Sequence, residues 1–337
     1  MSSALYAPSA SIEPAHEDDI WHVRWIPGKN TLATAGSDET VKIWDAQTGE
    51  CTKALQDGDY AITSLEMDTR GSQVLTASMD GKIRVWDIGM VDKKLSNTEK
   101  PVLTIDAKSS TNAWKACFVA RKPGSDASTQ AGETNTADKN PEIIASSTDR
   151  GTIKLWSTSN GSEVGVLDTS RPNFLLSLAV SPDASKIACG SASGDIYVFD
   201  ANSGSLHCTF SSHSGNVRSI SFSEDSSLLV SSSDDKQIQV HDVRYGSPVT
   251  TFLGHYGWVM SAEMHPNGKY IASGSVDSKV KIWDVSQRAC VETHNQHSQA
   301  VLSVAWQHSS ETSSISRPML ASVGEDCSVR FYDPLLA

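Results

Sequence analysis

The sequence predicts an all-β fold, a propeller of seven four-stranded blades closed into one ring. Three observations predict it. Short apolar runs of alternating character recur along the chain, split by tight turns such as Pro266-Asn267-Gly268 and Val276-Asp277-Ser278. The pair that closes each third run recurs as well: Trp44-Asp45, Trp86-Asp87, Trp156-Ser157, Phe199-Asp200, His241-Asp242, Trp283-Asp284 and Tyr332-Asp333. Steps between these pairs are 42, 70, 43, 42, 42 and 49 residues, too regular for chance. Seven such units use nearly all of the 337 residues, so residues 1–337 read as one domain although length alone allows two.

The clearest copy is GHYGWVMSAEMHPNGKYIASGSVDSKVKIWD, residues 254–284, with ACVETH following as a fourth strand. From its Gly-His opening to its Trp-Asp close it resembles the WD-repeat consensus.

Taken in order, SALYAPSASI, residues 3–12, precedes the first Gly-His-like position at Ala15-His16. The last unit ends on its third strand, VRFYD, with only PLLA after it. The seventh blade therefore lacks a strand and the N-terminus has one to spare. Residues near 3–12 are expected to complete that blade and remove two open sheet edges. Repeat one runs from His16 to about Leu55, and repeat two has Asp59-Tyr60 in the Gly-His place. Three polar, Ser/Thr-bearing inserts, near 89–101, 121–141 and 308–318, are expected to be mobile loops that bury too little apolar surface to order themselves.

Charge is 28 minus 40, or −12, which suits neither a phosphate backbone nor an anionic surface. No apolar run approaches the roughly 20 residues that span a bilayer, and the start lacks the pattern of a secretory signal. No direct nucleic-acid or membrane contact is expected. The six cysteines form no C-x-x-C pair and read as small hydrophobes in a reducing compartment. The ten histidines show no metal-ligand spacing, and phosphate-loop, nucleophile-elbow and H-E-x-x-H motifs are absent. Neither a metal nor a cofactor is expected.

A His before the first strand, a Ser or Thr on the second, an Asp in the next turn and the closing Trp recur together. They are His16, Thr34, Asp38 and Trp44 in the first repeat and His255, Ser273, Asp277 and Trp283 in the sixth. Such a set could suggest a hydrolase, but a catalytic site occurs once, whereas this one repeats. A carboxylate bonded to His, hydroxyl and indole reads as a structural tetrad. It decays along the chain. Repeat five has His241 and repeat seven Tyr332 for Trp, repeat two lacks the His, repeat three shifts Asp149 by one place, and repeat four has Ser193 for Asp. Blades three and four are expected to be the softest.

Function is expected on the face that carries the histidine turns, here called the top. The residues flanking the first apolar position of each inner strand are candidate protein-binding residues: Asp19, Trp21, Asn112, Trp114, Phe174, Leu176, Asn216, Arg218, Trp258, Met260 and Leu302. Aromatic, aliphatic and Arg side chains at equivalent loop positions read as a groove for a short peptide or amphipathic helix.

Residues 167–206 and 254–306, with AHEDDIWHVRW near the start, resemble the superkiller protein eight family over the whole ring, most strongly in blades four to seven. That family includes an animal relative found in the Paf transcription complex. The resemblance implies a non-enzymatic scaffold bound to a tetratricopeptide-repeat protein and an RNA helicase in the superkiller complex, which feeds mRNA to the exosome for 3′–5′ decay. In fungi it also implies binding of the meiotic topoisomerase-like subunit that makes double-strand breaks. It implies a protein of cytoplasm and nucleus whose partners dock on the top face. Two other readings compete: a peptide-reading subunit of a chromatin, transcription or ubiquitin-ligase complex, and an enzyme with its site in the central channel.

Overall fold

The computed structural model describes residues 5–89, 100–107, 113–119, 143–308 and 318–335. The insert at 121–141 and the central parts of those at 89–101 and 308–318 lie outside the described residues.

Seven antiparallel four-stranded sheets stand in a ring. Their inner strands are Ile20–Trp25, Ile62–Met67, Ala113–Val119, Leu175–Val180, Val217–Phe222, Val259–Met264 and Val301–Trp306. The seventh sheet takes its outer strand from the N-terminus, as expected. Tyr6–Ile12 runs antiparallel to Val329–Pro334, with Tyr6 opposite Pro334 and Ile12 opposite Val329. The Glu292 carboxylate of blade six accepts the backbone N–H groups of Leu5 and Tyr6, so the closing strand is held by two blades.

Second strands are rich in small residues for a reason. Tyr270–Ser275 and Leu228–Ser233 are covered on both faces by neighbouring blades, so they read as near-continuous buried runs. At Gly274 an added Cβ would lie 2.6 Å from Val301 of the next blade, and at Gly190 it would lie 2.5 Å from Val217. Between blades one and seven, Trp25, Leu32, Trp44 and Phe331 form one cluster. Outer strands such as Glu163–Asp168 are mostly exposed.

Each inner strand slips register at its start, between Ile20 and His22 and at the six equivalent places. A bulge re-aims the inserted side chain.

The corner tetrads hold the top turns. His16 Nδ1 donates to the Asp38 carboxylate at 2.8 Å, its Nε2 accepts from Thr34 Oγ1 at 2.6 Å, and Trp44 Nε1 donates to the same hydroxyl at 2.8 Å. His255, Asp277, Ser273 and Trp283 repeat the set at 2.9, 2.7 and 2.8 Å. In blade seven the Tyr332 hydroxyl replaces the indole, 3.2 Å from Ser322. In blade five His241 reaches Ser231 at a long 3.4 Å and leaves its Nδ1 unpaired, and burial pushes its pKa down to about 4. Blade two, without a His, uses Arg84, which binds Asp80 at 2.6 Å and Asp57 at 2.9 Å. Blade four builds its corner on Asp195, which takes bonds from Ser193, Ser211 and Arg171. Asp149 of blade three is exposed in its turn and joins no corner, because the place matching Asp38 is held by Arg150.

Hydrogen bonds from His255 and the turn backbone outweigh burial and hold Asp277 down to about 2, and Asp326 likewise. Three measurements test this architecture. Asp277→Ala strands His255 and should cost roughly 1–3 kcal/mol in denaturant unfolding. Deleting residues 1–12 should lower Tm by far more, because it reopens the ring. Depressed carboxylate pKa values contribute stability that is complete above the unfolded value near 4 and lost as pH falls through about 2. Asp277→Asn should therefore flatten the loss of stability between about pH 4 and pH 2.

Candidate partner-binding face

On the top face, the turn before each inner strand is clipped to the turn between second and third strands. The carbonyls of Asp19, Phe174, Asn216 and Trp258 accept the N–H groups of Ser37, Ala192, Asp234 and Val276 at 2.8–3.1 Å. Each candidate thus has a surface neighbour one residue before the tetrad Asp place. Sequence reading missed these neighbours, and their signal was that fixed offset.

The two turns of blade six together form an apolar patch. Trp258 is 49% exposed and Val276 41%, while Tyr256 reaches 82%. Leu253 is exposed at the entrance to the same turn. Tyr256 is fixed from below, since its N–H donates to the Asp277 carboxylate at 2.9 Å. On blade two, Met79 and Tyr60 are exposed, and sequence reading had singled out neither as a candidate.

The remaining candidates divide. Trp21, Trp114 and Phe174 are half-buried, and Trp114 meets Phe174 edge-on with centroids 5.3 Å apart, across blades three and four. Asp19 is half-buried; burial, with Asp18 and Glu325 nearby, pushes its carboxyl up. Asn112 lies outside the described residues. Leu176 is a correction: at 8% exposure it is interior, because the bulge at Leu175–Ser177 turns its side chain off the top face. Arg218, Met260 and Leu302, the bulged residues of blades five to seven, line the channel. Arg218 is already paired, 2.7 and 2.8 Å from the two Asp234 oxygens, with Asn216 donating to the same carboxylate at 2.7 Å. Its guanidinium lies 5.5 Å from the centre of the Trp258 ring, so an ion pair and an aromatic face adjoin.

Below the bulge, one inner-strand position carries Ser64, Ser177, Ser219, Ser261 and Ser303 in five blades. Ser177 donates to the Val217 carbonyl at 3.0 Å, and Ser303 accepts from Val23 N–H at 3.4 Å, so these hydroxyls tie blade to blade. In blades one and three the same position is His22 and Lys115. Arg24 and Glu66 form an ion pair at 3.3 Å two residues further down. Among the described residues no cluster of three His, Cys, Asp or Glu is placed to hold a metal.

A family model described as "WD domain, G-beta repeat" matches residues 8–45, 49–87, 161–200, 204–242, 246–284 and 288–333. Each match runs from the outer strand of one blade through the third strand of the next; the first joins the closing strand to blade one. The repeat left unmatched is the one whose turn exposes Asp149. Among similar curated proteins, WD repeat-containing protein VIP3 of Arabidopsis thaliana is 30% identical over 62% of this chain and 62% of its own length. Mitochondrial division protein 1 of Aspergillus niger is 25% identical over 63% of this chain and 36% of its own. Periodic tryptophan protein 2 of Arabidopsis thaliana is 24% identical over 58% and 24%. The chain therefore spans less than two thirds of each of these relatives. Six repeat matches on a seven-bladed ring make this chain a member of the WD-domain, G-beta repeat family.

Proposed function

We propose that this WD-repeat protein is a non-catalytic scaffold that holds a short apolar segment of a partner protein on its top face. The observation that carries the reading is the blade-six patch of Tyr256, Trp258 and Val276 beside the Arg218–Asp234 pair. Exposed aromatics over a rigid turn bind with little ordering cost, and a pre-paired Arg holds the Trp face in place. Four tetrad carboxylates, Asp38, Asp235, Asp277 and Asp326, are engaged with their histidines at the blade corners, which favours a structural role over catalysis for these groups.

On the finer level we read the protein as a superkiller-complex subunit supporting exosome-mediated 3′–5′ mRNA decay. Its partners are then a tetratricopeptide-repeat scaffold protein and an RNA helicase. The meiotic topoisomerase-like break-forming subunit is a second client of the same face. Support comes from the resemblance over residues 167–206 and 254–306. On this reading the protein works in both cytoplasm and nucleus, and its net charge of −12 favours protein over nucleic-acid partners.

Affinity purification from native extract tests the assignment. Wild type should recover a tetratricopeptide-repeat protein and a helicase, and a Tyr256/Trp258/Val276 triple alanine variant of unchanged Tm should lose them. Recovery of chromatin or ubiquitin-ligase subunits instead would replace the superkiller reading. Trp258→Ala alone should weaken the purified interaction by about 2 kcal/mol, a ~30-fold rise in Kd, and leave unfolding unchanged. A collapse of Tm in this variant would make Trp258 a core residue.

A further inference from the structure

We propose that the central channel is a binding site for one small oxyanion of phosphate size, with Lys115 as its cation and His22 as its neighbour.

The argument begins with a replacement. Five blades place a serine at one level of the channel, and blades one and three place His22 and Lys115 there instead. The two side chains meet across the intervening blade, with Lys115 Nζ 2.7 Å from His22 Nε2. The same Nε2 lies 2.8 Å from the Thr63 carbonyl oxygen. A carbonyl only accepts, so Nε2 carries the hydrogen. Lys115 therefore faces a donor. As an ammonium it opposes that N–H, and only as a neutral amine can it accept from it.

The surrounding charges leave Lys115 without a counter-ion. The groups that face it are His22 and Arg24 of blade one, Glu66 of blade two and Cys117 on its own strand. Glu66 is engaged by Arg24 at 3.3 Å, and Glu263 of blade six is engaged by His308 at 3.1 Å. No described carboxylate lies within ion-pair distance of Nζ. Burial, with Arg24 close by, pulls Lys115 down to about 7, so the amine is poised between its two forms at neutral pH. The channel holds a cavity of about 50 Å³ that opens to solvent, and Ser219 lines it. An oxyanion there accepts from the ammonium, turns Lys115 from acceptor to donor, and supplies the missing charge. Binding then draws a proton onto Lys115.

The test uses the full chain and inorganic phosphate, followed by calorimetry and by thermal unfolding against sodium chloride of equal ionic strength. Phosphate should bind at one saturable site, raise Tm, and take up protons at pH 7.5. Affinity should fall about tenfold or more from pH 7 to pH 9 as Lys115 discharges. Lys115→Met should abolish binding and, by removing an uncompensated cation, raise Tm without phosphate. Lys115→Arg should keep binding and lose most of the pH dependence. Trp258→Ala should bind phosphate like wild type, which separates this site from the partner face. Absence of saturable binding would overturn the proposal, as would full binding in folded Lys115→Met. Failure of both Lys115 variants to fold would also overturn it, since Lys115 would then be a structural group.

Discussion

A blade of this protein has apolar side chains on both faces and cannot bury either alone. Its second strand, buried throughout in Tyr270–Ser275 except at the first residue, needs a neighbour on each side. A row of such blades always ends in two raw faces. The ring removes both, and the rest of the structure depends on that closure. The closing strand turns the gap between first and last blades into an ordinary blade contact, where Trp25 packs edge-on against Phe331 with centroids 6.1 Å apart. Trp25 also donates its indole N–H across the same boundary, to the Ala305 carbonyl at 3.1 Å. Small residues on the second strands let the blades approach, and the inner-strand serines fasten them together.

The corner tetrads link stability to recognition without merging them. In blades one, five, six and seven, the Asp that orients the His also accepts the N–H of the next residue, at Glu17, Ser214, Tyr256 and Ser298. The His side chain points inward and the following side chain is exposed. One carboxylate thus sets the direction of a buried group and a surface group together. Evolution of the exposed residue leaves the network intact, because only its backbone is involved. A fixed scaffold can carry Tyr at one corner and Ser at another.

Much of this was legible because it is periodic. The 42-residue step, the missing strand of the last unit and the complete tetrads of repeats one and six are patterns in one dimension. What escaped needs three. Arg84 takes over the role of a missing His from the third strand, and Asp195 supplies the corner carboxylate two residues beyond the Asp place that Ser193 holds. The bulge at each inner strand turns Arg218, Met260 and Leu302 toward the channel and folds Leu176 inside, a rotation that strict alternation does not anticipate. His22 and Lys115 are 93 residues apart and looked unrelated until seven strands converged on one axis. Met79 and Val276 were passed over because a turn position one before an Asp carries no meaning until that turn is seen beside its neighbour.

The closing strand also sets a clock. Tyr6 leaves the ribosome long before its partner Pro334, which is made 328 residues later by the difference of their numbers. At roughly 5–20 residues per second that interval is about 15–65 s. Throughout it the nascent chain is an open arc with an unclaimed strand at one end and an unpaired edge at the other. Its earliest segment must stay unaggregated in solvent, and Tyr6–Ile12 is suited to that wait. It has a proline, two serines and a single strand residue that is buried when the ring shuts. Translation order thus selects for a polar closing strand, because it waits longest for the partner it pairs with.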